Sequence, residues 1–122
     1  MIRALAVAVL AAILTAAVLF GQDRSTYEAL TVDNTAGGVA ITTTILRPSG
    51  GPQMNYCEGR LETASVRFTD DGSAPTTTAG TLLEVGDIWV SYNHAKSRQA
   101  RFIRTGGTSG TLHVRCYERG PR

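Results

Sequence analysis

The sequence predicts an all-β domain, a small antiparallel β-sandwich or small barrel, preceded by an N-terminal apolar helix. Three observations carry this expectation. From Tyr27 onward, Gly, Thr, Val and Ile displace the Ala and Leu that fill the first 20 residues. Apolar and polar residues then alternate with period 2 in short runs, the pattern of half-buried strands. Turn-forming residues separate these runs at roughly 8–12-residue spacing, as in sandwiches and barrels. No stretch after residue 27 carries a 3.6-residue period, and 122 residues leave room for one domain.

The first element is the run Ala4 to Phe20 behind the single positive charge of Arg3. It has 17 residues, no charge and one hydroxyl, Thr15. A secretory signal has an apolar region of roughly 7–15 residues, and a spanning helix needs roughly 17–25. The run lies between the two, so residues 1–21 read as a signal peptide or as a membrane or assembly helix. Cleavage sites would follow Ala17 or Gly21. Without cleavage, Ala4–Phe20 would associate with a membrane, and Arg3 favours a cytoplasmic N-terminus with the remainder exported. Residues 22–28 read as a linker, and 29–122 as the β-sandwich domain.

Eight stretches are expected as strands. Ala29 to Asp33 comes first. In Val39 to Ile45, Val39, Ile41 and Ile45 share a face. Tyr56 to Glu62, Ser65 to Thr69 and Thr81 to Val85 follow. In Asp87 to Tyr92, Ile88, Val90 and Tyr92 lie opposite Trp89, and Ala100 to Thr105 comes next. In Thr111 to Tyr117, Leu112, Val114 and Cys116 point one way and His113, Arg115 and Tyr117 the other. Pro48-Ser-Gly-Gly-Pro52, Asp70-Asp71-Gly72, Gly86-Asp87 and Gly106-Gly107 supply the fixed or positive φ that reversals require. Thr76-Thr77-Thr78 after Pro75 reads as an extended connector.

Composition narrows the function classes. The net charge of +2 creates no strong field to steer nucleic acid or anionic lipid. Eleven of the twelve basic side chains are Arg, which suits planar, bidentate contacts. Arg98, Arg101, Arg104, Arg115, Arg119 and Arg122, with Phe102 and Tyr117, could form a single-stranded nucleic-acid platform. Strand alternation splits Arg101 from Arg104, however, so nucleic acid is not the expected partner.

Cys57 and Cys116 are the sharpest pair. An even cysteine count behind an export-like segment suggests one disulfide. It would close a loop of about 60 residues, worth ~4 kcal/mol in the chain-entropy treatment. Two buried free thiols are the alternative. His94 and His113 lack ligand spacing for a metal; a polar loop and a solvated strand face account for them. Asp70-Asp71-Gly72 reads as a turn with an Asp cap rather than a calcium loop. Glu58 and Glu62 share a strand face but lie about 13 Å apart, wide for a glycosidase pair. Gly106 to Gly110 lacks the Lys-Ser/Thr continuation of a phosphate loop. No nucleophile–base–orienter set is visible, so neither an enzymatic activity nor a cofactor is expected.

Four stretches carry a resemblance: Leu30 to Val39, Glu62 to Thr76, Gly80 to Asp87 and Arg101 to Val114. In this order and spacing, over roughly residues 30–117, the body resembles small β-rich proteins encoded among the structural genes of tailed bacteriophages. The resemblance implies a non-catalytic, virion-associated accessory or decoration role, with protein partners in a repetitive assembly or a homo-oligomer. The apolar run is the departure, because virion parts assemble without an export signal. The alternative is a secreted bacterial binding module, for glycan, using Trp89 and Tyr92 as exposed aromatics. Location follows the reading: periplasmic or extracellular, virion-associated, or anchored.

Overall fold

A computed structural model of the protein describes residues 24–119. The expected N-terminal helix and Arg122 lie outside the described residues. Eight strands form two four-stranded antiparallel sheets: β1 (Ser25–Val32), β2 (Val39–Ala40), β3 (Tyr56–Glu62), β4 (Val66–Thr69), β5 (Thr81–Leu83), β6 (Ile88–Ser91), β7 (Arg101–Arg104) and β8 (Gly110–Tyr117). Two short helices interrupt them, α1 (Thr43–Leu46) and α2 (His94–Gln99). The strand orders are β1-β8-β3-β6 and β2-β7-β4-β5. This is the order of a jelly roll, an eight-stranded double sheet of two Greek keys.

Alternation decides what lies between the sheets. The first sheet contributes Leu30, Val32, Cys57, Leu61, Trp89, Leu112, Val114 and Cys116 to one core, and the second Val66, Leu83 and Phe102. Phe102 joins the halves: its ring meets Trp89 edge-on at 5.3 Å and Phe68 at a tilt at 6.0 Å. Ile41, Leu46, Met54 and Ala100 extend the core past the strand ends. Gly59 faces inward where a Cβ would sit 3.0 Å from the Leu112 side chain, so a larger residue there would require that side chain to shift.

Cys57 and Cys116 are joined by a disulfide. They are directly opposed on β3 and β8 and fully buried. Their Cα atoms are 4.1 Å apart, closer than the usual bridge, as suits the narrow, non-hydrogen-bonded kind of antiparallel pair.

The β3, β4, β5, β6, β7 and β8 expectations hold to within two residues at either end. Three others are corrected. β1 begins at Ser25, inside the stretch read as linker, because Ser25 to Glu28 find partners Tyr117 to Val114 on β8. Val39 to Ile45 is not one strand. It pairs only at Val39–Ala40; the Glu28 carboxylate then accepts from the Thr42 amide and hydroxyl, and α1 follows. Burial of Ile41 and Leu46 overrides the poor helix propensity of a Thr run. The third is α2, too short to show a helical period, although the Asn93 side chain caps it by accepting from the Lys96 amide at 2.8 Å.

Several turns behave as their residues imply. Asp71 Oδ1 accepts from the Ser73 amide at 3.0 Å, and Gly72 takes φ +86°. Gly86 takes φ +94° before β6. Thr63, between β3 and β4, is the exception, with φ 80° in a tight turn closed by Ala64 N–H to the Glu62 carbonyl at 3.0 Å. A β-branched residue is strained there.

Candidate functional site

The outward side of the β1-β8-β3-β6 sheet gathers the chain's polar aromatics. The core takes Leu30, Cys57, Leu61, Trp89, Val114 and Cys116, so alternation turns Tyr27, Tyr56, Glu58, Arg60, Glu62, His113, Arg115 and Tyr117 outward. All four tyrosines of the chain share this face. Tyr56 opposes Tyr117 across β3 and β8, with ring centroids 5.9 Å apart, and Tyr92 packs on Tyr56 at 5.7 Å. The resulting aromatic row crosses β8 and β3 and ends at Tyr92, just past β6.

Polar groups hold these rings. Tyr56 Oη donates to Glu58 Oε2 at 3.2 Å, and Tyr117 Oη donates to Oε1 at 3.4 Å. Burial first, and then the Glu58 carboxylate, push the Tyr56 phenol above its ordinary value, which keeps it a donor. In the neighbouring rows, Tyr27 Oη lies 2.6 Å from His113 Nδ1, and His113 Nε2 lies 3.0 Å from Glu62 Oε2. With neutral imidazole, Nε2–H donates to Glu62 and Nδ1 accepts the phenol proton. The Tyr27 and His113 rings stack nearly parallel, and the Arg115 guanidinium sits 5.9 Å from the Tyr27 centroid. Between them is a shallow depression of about 290 Å³, lined by Tyr27, Glu58, Arg60, Ile88, His113 and Arg115. Among the described residues, the Arg60 and Arg115 guanidinium groups have no ion-pair partner, since the one basic side chain within 4.0 Å of a carboxylate oxygen is His113, at Glu62.

Exposure separates what this face offers from what it uses internally. Tyr92 is 74% exposed, Ile88 61% and Tyr27 51%, whereas Tyr56 is buried. Trp89 is 2% exposed, which corrects its expected role as a surface aromatic. Ile88, Val90 and Tyr92 do share a face, but it is the outer one.

The remaining sequence candidates disperse. Glu58 and Glu62 share the face but serve separate partners, two phenols and an imidazole. His94 opens α2, with Nδ1 3.2 Å from the Met54 carbonyl. Arg98 lies on α2, Arg101 and Arg104 alternate along β7, and Phe102 is wholly buried, so among the described residues these three arginines do not gather around Phe102, while Arg115 and Tyr117 lie on the tyrosine face. Gly106 and Gly107 join β7 to β8. Among the described residues, no three His, Cys, Asp or Glu side chains converge as metal ligands.

The period-2 pattern of single strands does not gather Tyr27, Tyr56, Arg60 and Tyr117 into one face. The signal was present: in an antiparallel pair bridged at Cys57 and Cys116, residue 56 must oppose residue 117. No family model, curated protein or solved structure matches the chain.

Proposed function

We propose that this chain is a non-enzymatic structural or surface-binding module that is exported and docks through the outer face of the β1-β8-β3-β6 sheet. The observation that carries the reading is the aromatic row Tyr92–Tyr56–Tyr117 beside Tyr27, with two arginines left without ion pairs among the described residues. Tyr and Arg are the residue types that anchor protein interfaces, since they combine area, stacking and directional hydrogen bonds. The site is shallow and open, which suits adhesion to another surface. The buried disulfide supports an oxidising destination, periplasmic or extracellular. Within this reading, the partner is a repetitive assembly or a second copy, as in the virion accessory proteins that the sequence resembles. Jelly rolls serve capsids and lectins alike, so the fold favours a binding role by analogy alone.

A secreted glycan-binding module is the second reading. The depression beside Tyr27, with Arg60, His113 and Arg115 around it, favours it, and Tyr92 takes the stacking role expected of Trp89. One experiment addresses both. Wild type and Tyr27→Ala/Tyr92→Ala are compared by light scattering, by co-sedimentation with phage particles and on immobilised polysaccharides. The double variant is expected to lose at least tenfold in whichever association the wild type shows. A wild type that stays monomeric and binds neither support, or a variant that binds equally well, defeats the assignment of this face.

A further inference from the structure

The two short helices meet at the end of the sandwich where β1 begins. α1 touches β1 and α2, and Thr26 Oγ1 donates to the Ile45 carbonyl at 2.7 Å. The Leu46 carbonyl accepts from the Met54 amide, and His94 is fixed on the Met54 carbonyl, so the Pro48–Asn55 loop seals the same end. Between the helices is a depression of about 300 Å³ lined by Thr43, Leu46, Arg47, Gln53, His94 and Arg98.

Its lining is unusual for a surface of balanced charge. No carboxylate lines it, while two guanidinium groups and an imidazole do. Arg47 spends one Nη2 hydrogen on Gln53 Oε1 at 3.0 Å, and the Gln53 amide nitrogen donates to Asn55, so both ends of that amide are engaged. A carbonyl can only accept, so His94 Nδ1–H donates to it, and Nε2 has no hydrogen-bond partner among the described residues. Among the described residues, the Arg98 guanidinium and the Thr43 hydroxyl have no hydrogen-bond partner. Arg24 adds a third guanidinium at this end, where its Nη1 lies against Gly51. Fork-shaped donors without acceptors match a tetrahedral oxyanion, whose oxygens take several charge-assisted hydrogen bonds at once.

We infer that the depression between α1 and α2 binds a phosphate group, with Arg47 and Arg98 as its principal ligands and Thr43 and His94 at its rim. Two sources supply that chemistry. Arg24 follows the apolar run Ala4–Phe20 closely in the sequence, so a lipid headgroup phosphate is one source. A free phosphorylated compound is the other. The site is separate from the tyrosine face and stands or falls independently of it.

The test uses the full chain in a non-ionic detergent. Inorganic phosphate is titrated at constant ionic strength, with chloride as the balancing salt, and the melting temperature is followed, because a ligand of the native state raises it saturably. Wild type is expected to respond, Arg47→Gln/Arg98→Gln to lose at least tenfold in apparent affinity, and Arg60→Gln/Arg115→Gln to respond as wild type. That control removes the same charge from the other face. An equal response in Arg47→Gln/Arg98→Gln, no response beyond that of chloride, or loss only in the control overturns the proposal. Far-UV circular dichroism without phosphate confirms that each variant is folded. Flotation with phosphatidylcholine vesicles, with and without phosphatidylglycerol, then separates the sources. Loss of the phosphatidylglycerol-dependent binding in Arg47→Gln/Arg98→Gln assigns a headgroup; its retention beside a lost phosphate response assigns a free phosphate compound.

Discussion

The two outer faces of this sandwich have opposite fates. On the β1-β8-β3-β6 sheet, Tyr27, Ile88 and Tyr92 stand in solvent. On the β2-β7-β4-β5 sheet, the protein covers much of its own surface and leaves Leu82 of β5 41% exposed. Ile103 alternates with the core residue Phe102 and so points outward, yet it is 7% exposed. Arg67, opposite Ile103 on β4, donates from Nε to the Thr77 carbonyl at 3.1 Å and from Nη1 to the Gly80 carbonyl at 2.9 Å. Thr69 Oγ1 holds the Ser73 carbonyl, and Pro75 is buried against Gly38 and Gly80. The β4–β5 connection is thereby tied to its own sheet. One face has Arg67 and Thr69 tied to the β4–β5 connection; the other leaves Tyr27, Ile88 and Tyr92 exposed, with Arg60 and Arg115 outside any ion pair among the described residues. This asymmetry, rather than the fold, is the ground on which the tyrosine face is proposed as the docking surface.

The largest effect should strike both faces at once. Phe102 contacts Trp89 of one sheet and Phe68 of the other. Phe102→Ala should cost about 3–5 kcal/mol, a large share of a typical total of about 5–15 kcal/mol. Urea unfolding would show it as a lower midpoint with unchanged slope. A change under about 1 kcal/mol would mean that the sheets do not share this contact.

The bridge should act next, and on the tyrosine side. It pins β3 to β8 directly behind Tyr56 and Tyr117. Replacing both cysteines by Ala should lower stability by about 2–5 kcal/mol, the range for native disulfides in small domains. Tyrosine near-UV dichroism should weaken in the folded variant, while the covered face keeps its resistance to proteolysis. Equal midpoints for oxidised and reduced protein would refute the expectation.

Arg67→Ala addresses the covered face alone. Two charge-assisted hydrogen bonds to carbonyls are lost at a half-buried site, for about 1 kcal/mol after solvent replaces them. Proteolysis should then cut between residues 73 and 80 in the variant but not in the wild type. Cutting at equal rates would show that Arg67 does not hold the connection.

Much of this asymmetry was legible in the sequence, and some was not, for physical reasons. The bridge was readable because an even cysteine count behind an export-like segment leaves Cys57 and Cys116 to each other, and Cys116 shares the face of Leu112 and Val114. The face of β6 was not. Ile88, Val90 and Tyr92 form as good an apolar set as Trp89 and Ser91, and period 2 cannot say which set faces in; a buried indole beside Phe102 decided it. Val39 to Ile45 misled because β-branched residues suit strands, whereas the Glu28 carboxylate, 14 residues away, turns the chain at Thr42. The phosphate depression was invisible because Arg47 and Arg98 meet only through the packing of α1 on α2.

The smallest expected effect is a pH response confined to turns, and it separates the faces once more. Asp71 accepts from the Ser73 side chain and amide, and these bonds hold its carboxyl below the ordinary value of 3.8. Asp33, before β2, is lowered in the same way, by Thr35 first. A depressed native pKa means that the carboxylate stabilises the fold above pH 3.8, and that this contribution fades as pH falls through the lower native value. Acid below that point should therefore loosen the β4–β5 connection and the turn after β1 before it reaches the buried bridge. Amide hydrogen exchange between pH 4.5 and 2.5, corrected for intrinsic rates, should show lost protection at Ser73 and Thr35 with Cys57 and Val114 unchanged. Asp71→Asn should remove the pH dependence at Ser73 while leaving Thr35 as in the wild type. Simultaneous loss at all four positions would mean that acid unfolds the sandwich as a unit, and that the cover on the second sheet has no stability of its own.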